Sequence, residues 1–306
     1  MAVSSKLNIT KVQVKSISLP SRSHPTTLRI EQELNNAATA TVVATSKPSV
    51  ENIFNGLSQL VEVYKCMDDL LNSSATQVLI SREQNTKWVE ELIEESIRFL
   101  DVCGSIRDMV TQIKEHIVDL HCALRRRKED SSFETSIAKY ISFRKKMKKD
   151  VRFLVASLKQ VDHMITCGGL VVVDSDNHHL AAVIKAVIRV SETTVSIFES
   201  LLMFFSMPST KPNKWSIVVS KLIHKGMVAC EDHQQQQEIV NEFELIDGAL
   251  QILSKNQSST KGDKMEVAKC RLERLESRVE GMETRVECVF RQLIRTRASL
   301  LNIISQ

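Results

Sequence analysis

The stretch LERLESRVEGMETRVECVFRQLIRTRASLLNI, residues 272–303, repeats apolar side chains at alternating spacings of three and four residues. This repeat lasts for more than four heptads and is typical of one buried stripe along a long α-helix. The stripe, called the seam below, consists of Leu272, Leu275, Val279, Met282, Val286, Val289, Leu293, Thr296, Leu300 and Ile303. The seam predicts an all-α protein, an elongated bundle of long amphipathic helices with a heptad-patterned helix at its C-terminus.

The residues that flank the seam suggest two ways of packing it. With Leu272 at heptad position a, the g positions begin Arg271, Arg278 and Arg285, and the e positions begin Glu276 and Glu283. Parallel pairing of two copies would match Arg with Glu, whereas antiparallel pairing would oppose Arg to Arg. Phe290 and Ile304 at later e positions widen the apolar stripe, which favours packing inside a bundle. We therefore expect the seam to lie in the bundle core, with a homodimeric coiled coil as the alternative.

Upstream of the seam, apolar periodicity predicts further helices. The predicted ranges are 27–36, 49–71, 84–128, 132–167, the apolar helix that ends near 207, 215–228 and 238–253. All five prolines fall between these stretches, as expected because proline breaks a helix interior. Ser49 is placed to cap the second helix. We predict a helical domain over 27–306, with a possible sub-boundary near 207–213 marked by Pro208 and Pro212.

The N-terminal residues 1–26 are predicted to form a disordered, basic, Ser-rich tail. No acidic residue occurs before Glu31. Such composition is also typical of a plastid transit peptide, so a chloroplast location is the alternative. Ser21 and Ser23 flank Arg22 and are candidate phosphorylation sites. The other interpretation of this segment is an extended strap that packs Leu19 and Pro20 on the helices.

Composition indicates an ordinary globular protein. Hydrophobic residues make up 42% of the chain, charged residues 25%, and the formal net charge is +4. The seven cysteines form no C-x-x-C pair, which indicates reduced, mostly buried thiols in a cytoplasmic protein. No apolar run is long enough to span a membrane. The nearest approach, Val195 to Met207, is expected to be a core helix, with an interfacial membrane segment as the alternative.

Motifs that carry chemistry are weak. No glycine-rich phosphate loop is present. Two His-containing groups lack the paired spacing of a structural zinc site; they are Asp174, Asp176, His178 and His179, and His224, Cys230, Asp232 and His233. We expect no enzymatic activity, no metal and no cofactor.

Two basic runs are the candidate binding residues. They comprise Arg125, Arg126, Arg127 and Lys128, then Arg144, Lys145, Lys146, Lys148 and Lys149, with Arg152 beyond. A helical hairpin turning near residues 129–132 is predicted to bring both runs into one positive patch. Such a patch suits a protein partner or an anionic membrane surface, although either run could be only a solvated face. Nucleic acid is unlikely as a partner because aromatic residues make up only 5% of the chain.

Several segments together resemble one plant-specific family, the Bypass-like proteins. The resemblance is carried by 16–25 (SISLPSRSHP) with Leu28 and Glu31, by 87–89, 99–103 and 124–127, by Tyr140 with 144–149, by Leu201 with Phe204, and by 287–304 (ECVFRQLIRTRASLLNII). It spans nearly the whole chain and implies a role in root and shoot development. It implies no catalytic residues. We expect a helical regulatory or scaffold protein that acts by binding a protein partner, with peripheral membrane association as the alternative.

Overall fold

The computed structural model describes residues 25–42, 49–82, 87–125, 131–167, 178–206, 241–255 and 261–305. Eight α-helices account for nearly all of them: α1 (Pro25–Val42), α2 (Val50–Leu71), α3 (Ser74–Arg82), α4 (Lys87–Arg125), α5 (Ser131–Cys167), α6 (His178–Ser206), α7 (Glu242–Lys255) and α8 (Lys261–Ile304). These ranges contain no β-strand. The predicted all-α class is confirmed.

The C-terminal helix α8 is the axis of the bundle. It has 44 residues and is therefore about 66 Å long at the usual helical rise. It packs between α2 and α4 and also contacts α7 and α3. Arg278 pairs with Glu51 and Arg295 with Asp68, so α2 runs parallel to α8. The neighbouring α4 runs antiparallel to α8.

The remaining helices complete one continuous core. The apolar helix α6 packs against α1, α2 and α5, and α5 also packs against α4. Phe198, Leu201 and Phe205 of α6 are fully buried. The expectation of a core helix over this segment is confirmed. Among the described helices, none combines the length and the apolar character needed to cross a bilayer.

The helix boundaries follow local sequence signals with two exceptions. The Ser49 hydroxyl accepts a hydrogen bond from the Asn52 amide at 3.1 Å, which confirms the predicted cap of α2. Helix α1 begins at Pro25, a residue suited to a first helical turn, and continues to Val42, beyond the predicted end at residue 36. The short α3 was not predicted. It buries only Thr76 and Ile80, too few positions to produce a readable period.

Several predictions lie outside the described residues. They are the tail up to residue 24 with Ser21 and Ser23, the sub-boundary at 207–213, the helix at 215–228, and all of both His-containing groups except His178 and His179. His178 and His179 lie in the first turn of α6.

Candidate functional site

The seam is buried within the chain. Among its members, Leu272, Leu275, Val279, Met282, Val286, Val289, Leu293 and Leu300 are at most 4% exposed. Their cover comes from α2, α4 and α7, which pack on α8 from within the same molecule. The structure therefore uses the seam as a bundle core.

The charged residues beside the seam also have partners inside the chain. The e side faces α4. There Glu276 lies 3.0 Å from His121, and Glu283 lies 2.6 Å from Lys114. The Phe290 ring lies 4.1 Å from the guanidinium carbon of Arg107. On the g side, Arg271 donates to the Leu245 carbonyl at 2.9 Å, Arg278 lies 2.9 Å from Glu51, and Arg285 lies over the Phe54 ring at 4.2 Å. A homodimer through the seam would have to break these contacts.

Arg144 does not belong to an exposed patch, contrary to the sequence prediction. Its side chain is 4% exposed. The guanidinium donates to the Asp247 carboxylate at 3.2 Å and to the Phe205 carbonyl at 2.7 Å. It also lies 4.4 Å from the centre of the Phe243 ring. The residue was placed in the patch because it begins a basic run, but it lies on the apolar face of α5.

The surroundings of Arg144 tie three helices together. Tyr140 of α5 donates to Asp247 at 2.9 Å, and burial raises the pKa of this phenol well above its usual value, with Asp247 raising it further. Asn241 accepts from the Phe243 amide at 2.7 Å, which caps α7, and donates to the Phe204 carbonyl at 2.8 Å. Carbonyls at the end of α6 thus find donors from α5 and from the start of α7. This buried cluster is a structural joint.

The rest of the second basic run is on the surface. Lys145, Lys146 and Lys149 are exposed, as is Arg152 one turn further on, and none of them forms a salt bridge to a described residue. The Phe153 side chain beside them is 76% exposed. We call Lys145, Lys146, Lys149, Arg152 and Phe153 the α5 basic face. Asp150 is an exposed acidic residue on the same helix.

Lys148 lies between the α5 basic face and the interior, and it is half-buried. Burial lowers the pKa of its ammonium group, and the nearby Arg144 lowers it further. Lys148 therefore contributes less to the exposed charge than Lys145, Lys146 and Lys149 do.

Arg125 and Lys149, one exposed member of each basic run, lie at different heights along the hairpin. The ring of His116 on α4 lies 4.3 Å from the ring of Phe143 on α5, which sets the register of this hairpin. Arg125 lies nine residues beyond His116, whereas Lys149 lies six residues from Phe143 in the opposite direction. At the helical rise these residues are about 22 Å apart along the axis, more than twice the physiological screening length of about 8 Å. Arg125 therefore does not share a patch with Lys149, because the two residues lie at unequal distances from the turn.

Arg125 is the one member of the first run that lies within the described residues. Arg125 is exposed at the end of α4. Arg126, Arg127 and Lys128 lie outside the described residues. The candidate surface is therefore limited to α5.

The sequence analysis missed the buried carboxyl of Glu95 on α4. Its spacing from Leu92 and Phe99 puts it on the apolar stripe, and this was a readable signal. The same spacing rule puts Arg144 on the buried face with Tyr140 and Met147. The sequence therefore showed, for both Glu95 and Arg144, a charged residue at a position that the helical spacing assigns to the buried face.

The cysteines are less buried than predicted. Cys66 and Cys103 are buried, whereas Cys122, Cys270 and Cys288 are exposed, and all five are free. Burial raises the pKa of the Cys103 thiol to about 12, so it is an unreactive core residue. The described ranges contain no group of three or more His, Cys, Asp or Glu side chains placed to hold a metal ion.

These features define a class: an all-α bundle built around a central heptad helix whose e and g residues from Arg271 to Phe290 contact neighbouring helices, with a cluster of exposed cations on a separate helix. Within that class, residues 56–303 match the family described as Protein BPS1. The chain belongs to this family, and the resemblance to Bypass-like proteins is confirmed. Family membership indicates a role in plant development. No curated protein and no solved structure matches the chain.

Proposed function

We propose that this protein is a non-enzymatic helical scaffold in root and shoot development, and that it binds an acidic protein partner through the α5 basic face. The observation that supports this most directly is the exposed charge of Lys145, Lys146, Lys149 and Arg152, which form no salt bridge within the part of the chain that the structure describes. The family assignment supports the developmental setting.

These four cations differ from the cations of α4 that pair with α8 across the bundle. Arg107 pairs with Glu287 at 2.9 Å, and Lys114 pairs with Glu283 at 2.6 Å. On α5, four cations lie within eight residues, about 10 Å of helix, and repel one another. An acidic surface would relieve that repulsion and would steer the partner during association.

Phe153 adds an apolar anchor to this charged surface. A large aromatic side chain that is 76% exposed contributes little to the core of its own chain. Aromatic and arginine side chains dominate the energetic centres of protein interfaces. Phe153 and Arg152, adjacent on α5, fit that chemistry.

The test is affinity capture from root extract with quantitative mass spectrometry. The bait carries Lys145→Gln, Lys146→Gln and Lys149→Gln, and a second bait carries Phe153→Ala. The matched control carries Lys65→Gln, Lys87→Gln and Arg291→Gln, three exposed cations that each pair within their own helix. We expect a set of proteins retained by wild type and control and lost from both α5 variants. Identical profiles for all baits would overturn the proposal.

Peripheral association with an anionic membrane is the second candidate. It is favoured by the combination of lysines and an exposed aromatic ring on one helix face, which is typical of interfacial helices. Co-sedimentation with vesicles that contain phosphatidylserine, beside vesicles of phosphatidylcholine alone, separates the two functions. Pelleting that needs both the anionic lipid and the three lysines would put the membrane first. If the wild-type protein does not pellet with anionic vesicles, binding of an acidic protein partner stays the first candidate.

We propose the cytoplasm as the site of action, with the chloroplast as the alternative location. Cleavage of a transit peptide near residue 30 would remove about one and a half turns from the start of α1. Ile30 and Leu34 are fully buried on α1, so this helix contributes to the core. N-terminal sequencing of the protein isolated from plants tests the point. A start after residue 30 would support the chloroplast, whereas an intact N-terminus would support the cytoplasm.

A further inference from the structure

A cavity of about 40 Å³ lies between α2, α4, α6 and α8. Its walls are mostly apolar and include two aromatic residues, Tyr64 and Phe99. Its polar residues are Glu95, Ser96, Ser191, Thr296 and Arg297. The helix α5, which carries the basic face, contributes none of the lining residues.

Two polar atoms of the lining residues have no hydrogen-bond partner within the described ranges. Glu95 is 8% exposed, and its Oε1 atom is buried and unpaired among the described residues. Ser191 forms a hydrogen bond with the same carboxyl group. The Thr296 hydroxyl on α8 is likewise buried and unpaired. A buried polar atom without a partner is costly, so both atoms mark a place where a ligand would be stabilised.

No cation of the lining compensates Glu95. Arg297 of α8 donates instead to the Ser96 hydroxyl at 2.7 Å and to the Ile93 carbonyl at 3.2 Å. Tyr64 of α2 is hydrogen-bonded to Thr194 at 3.0 Å, and burial raises the pKa of its phenol.

The electrostatics of the site disfavour a bare carboxylate. The α6 lining, Val187, Val190 and Ser191, carries no charge. On α4, Glu91 adds negative charge. Burial, followed by this repulsion, raises the pKa of Glu95 to about 7, against the favourable hydrogen bond from Ser191.

We propose that this cavity binds a small protonated amine, with the Glu95 carboxylate as its anchor and the Thr296 hydroxyl as a second acceptor. An ammonium group has three donors and no acceptor, which matches two unpaired oxygen atoms. Its charge supplies the counter-ion that the protein lacks here, and aromatic walls favour a cation over a neutral molecule.

The size of the cavity limits the amine. One water molecule needs about 10–15 Å³ of such volume, so this cavity accommodates about three heavy atoms. Ethylammonium has this size, and ethanol is its neutral isostere. For so small a ligand, the upper limit of binding energy per atom puts the dissociation constant in the millimolar range.

The experiment is a methyl NMR titration of the full chain in phosphate buffer at pH 8, with sodium chloride balancing the ionic strength. The reporters are the lining residues Val187, Val190, Leu293 and Leu300, and Val279, further along α8, is the remote reference. We expect saturable shifts of the lining methyl groups with ethylammonium and at least tenfold weaker binding of ethanol. This comparison needs no variant, so a folding defect cannot obscure it.

Two variants localise the binding. Glu95→Gln keeps the shape of the side chain and removes its charge, and we expect ethylammonium to bind at least tenfold more weakly. Glu94→Gln is the matched control, because Glu94 is exposed and pairs with Arg98 on the outer side of α4; its affinity should stay within twofold of wild type. At pH 6, where more of Glu95 is protonated, wild-type affinity should fall severalfold.

The proposal is overturned by any of three results. These are no saturable shift of the lining methyl groups, equal affinity for ethanol and ethylammonium, and unchanged ethylammonium affinity in Glu95→Gln. Each would identify the cavity as a site for water or as a plain packing void.

Discussion

Arg144 and Glu95 are both charged side chains buried in long helices of one bundle, and they differ in their partners. Arg144 has a carboxylate, a backbone carbonyl and an aromatic ring around its guanidinium group. Glu95 has the Ser191 hydroxyl, a cavity and no cation. Burial of a charge alone therefore does not distinguish a structural residue from a candidate ligand site; the partners of the charge do.

Arg144 and Glu95 differ in their partners because they contact different parts of the neighbouring helices. Arg144 lies against the end of α6 and the start of α7, where helix termini leave backbone groups unpaired. Glu95 faces the middle of α6 beside Ser191, where the backbone groups are already used in the helix. A buried charge at helix ends can be satisfied by the fold, whereas one in mid-helix depends on side chains or on a ligand.

The largest expected effect is that of Arg144→Met. It removes the cation beside Asp247, which keeps only the Tyr140 hydroxyl, and it removes the donor to the Phe205 carbonyl. Removal of one partner from a buried ion pair costs about 3–5 kcal/mol. Urea unfolding followed by circular dichroism measures the loss. Lys145→Met, the adjacent exposed position, is the control and should change stability by no more than about 0.5 kcal/mol. Equal effects of the two substitutions would show that Arg144 is not a structural joint.

Glu95→Gln should have an intermediate effect. Unlike Arg144→Met, it should raise the free energy of unfolding, by an amount that depends on pH. Burial raises the pKa of Glu95 from 4.5 to about 7, so the folded state holds the proton more tightly than the unfolded chain does. The contribution of Glu95 to wild-type stability is therefore fully present below pH 4.5 and is lost as the pH rises through 7. Glutamine does not titrate, so the variant should be more stable by about 2–3 kcal/mol at pH 8 and nearly equal at pH 4.5.

Urea unfolding at these two pH values measures that difference in an amine-free buffer. A stability difference that does not change with pH would show that Glu95 has an ordinary pKa. The cavity would then be better hydrated than its lining indicates.

The smallest expected effect is that of Thr296→Val. The substitution replaces a buried, unpaired hydroxyl with a methyl group of similar size, and we expect stability to rise by about 1 kcal/mol without an amine. Thermal unfolding monitored by circular dichroism measures the change. Ser299→Ala on the same helix is the control of opposite sign, because the Ser299 hydroxyl donates to Asp68 at 2.6 Å. A loss of stability in Thr296→Val would reveal a partner for its hydroxyl.

Local signals predicted much of the fold. Ser49 was recognised as a cap, and the seam predicted α8. The end of α1 was missed because Ile30, Leu34 and Ala37 pack into the core, and that burial outweighs the weak helix propensity of the threonines that follow. The candidate site was predicted only in part. Lys145, Lys146 and Lys149 are exposed as expected, whereas Arg144 was assigned to the surface by its neighbours in sequence.

The spacing of apolar residues was sufficient to establish long helices and the buried stripe of each, because the period of a helix is a local property of the backbone. The sequence also carried the family resemblance. Only the tertiary structure showed that α2 and α4 cover the seam, that Arg125 lies apart from Lys149, and that Arg144 has an ion-pair partner whereas Glu95 has none among the described residues. Those outcomes depend on contacts between distant residues, such as Arg144 and Asp247, 103 positions apart, and helical periodicity does not encode which residues form them.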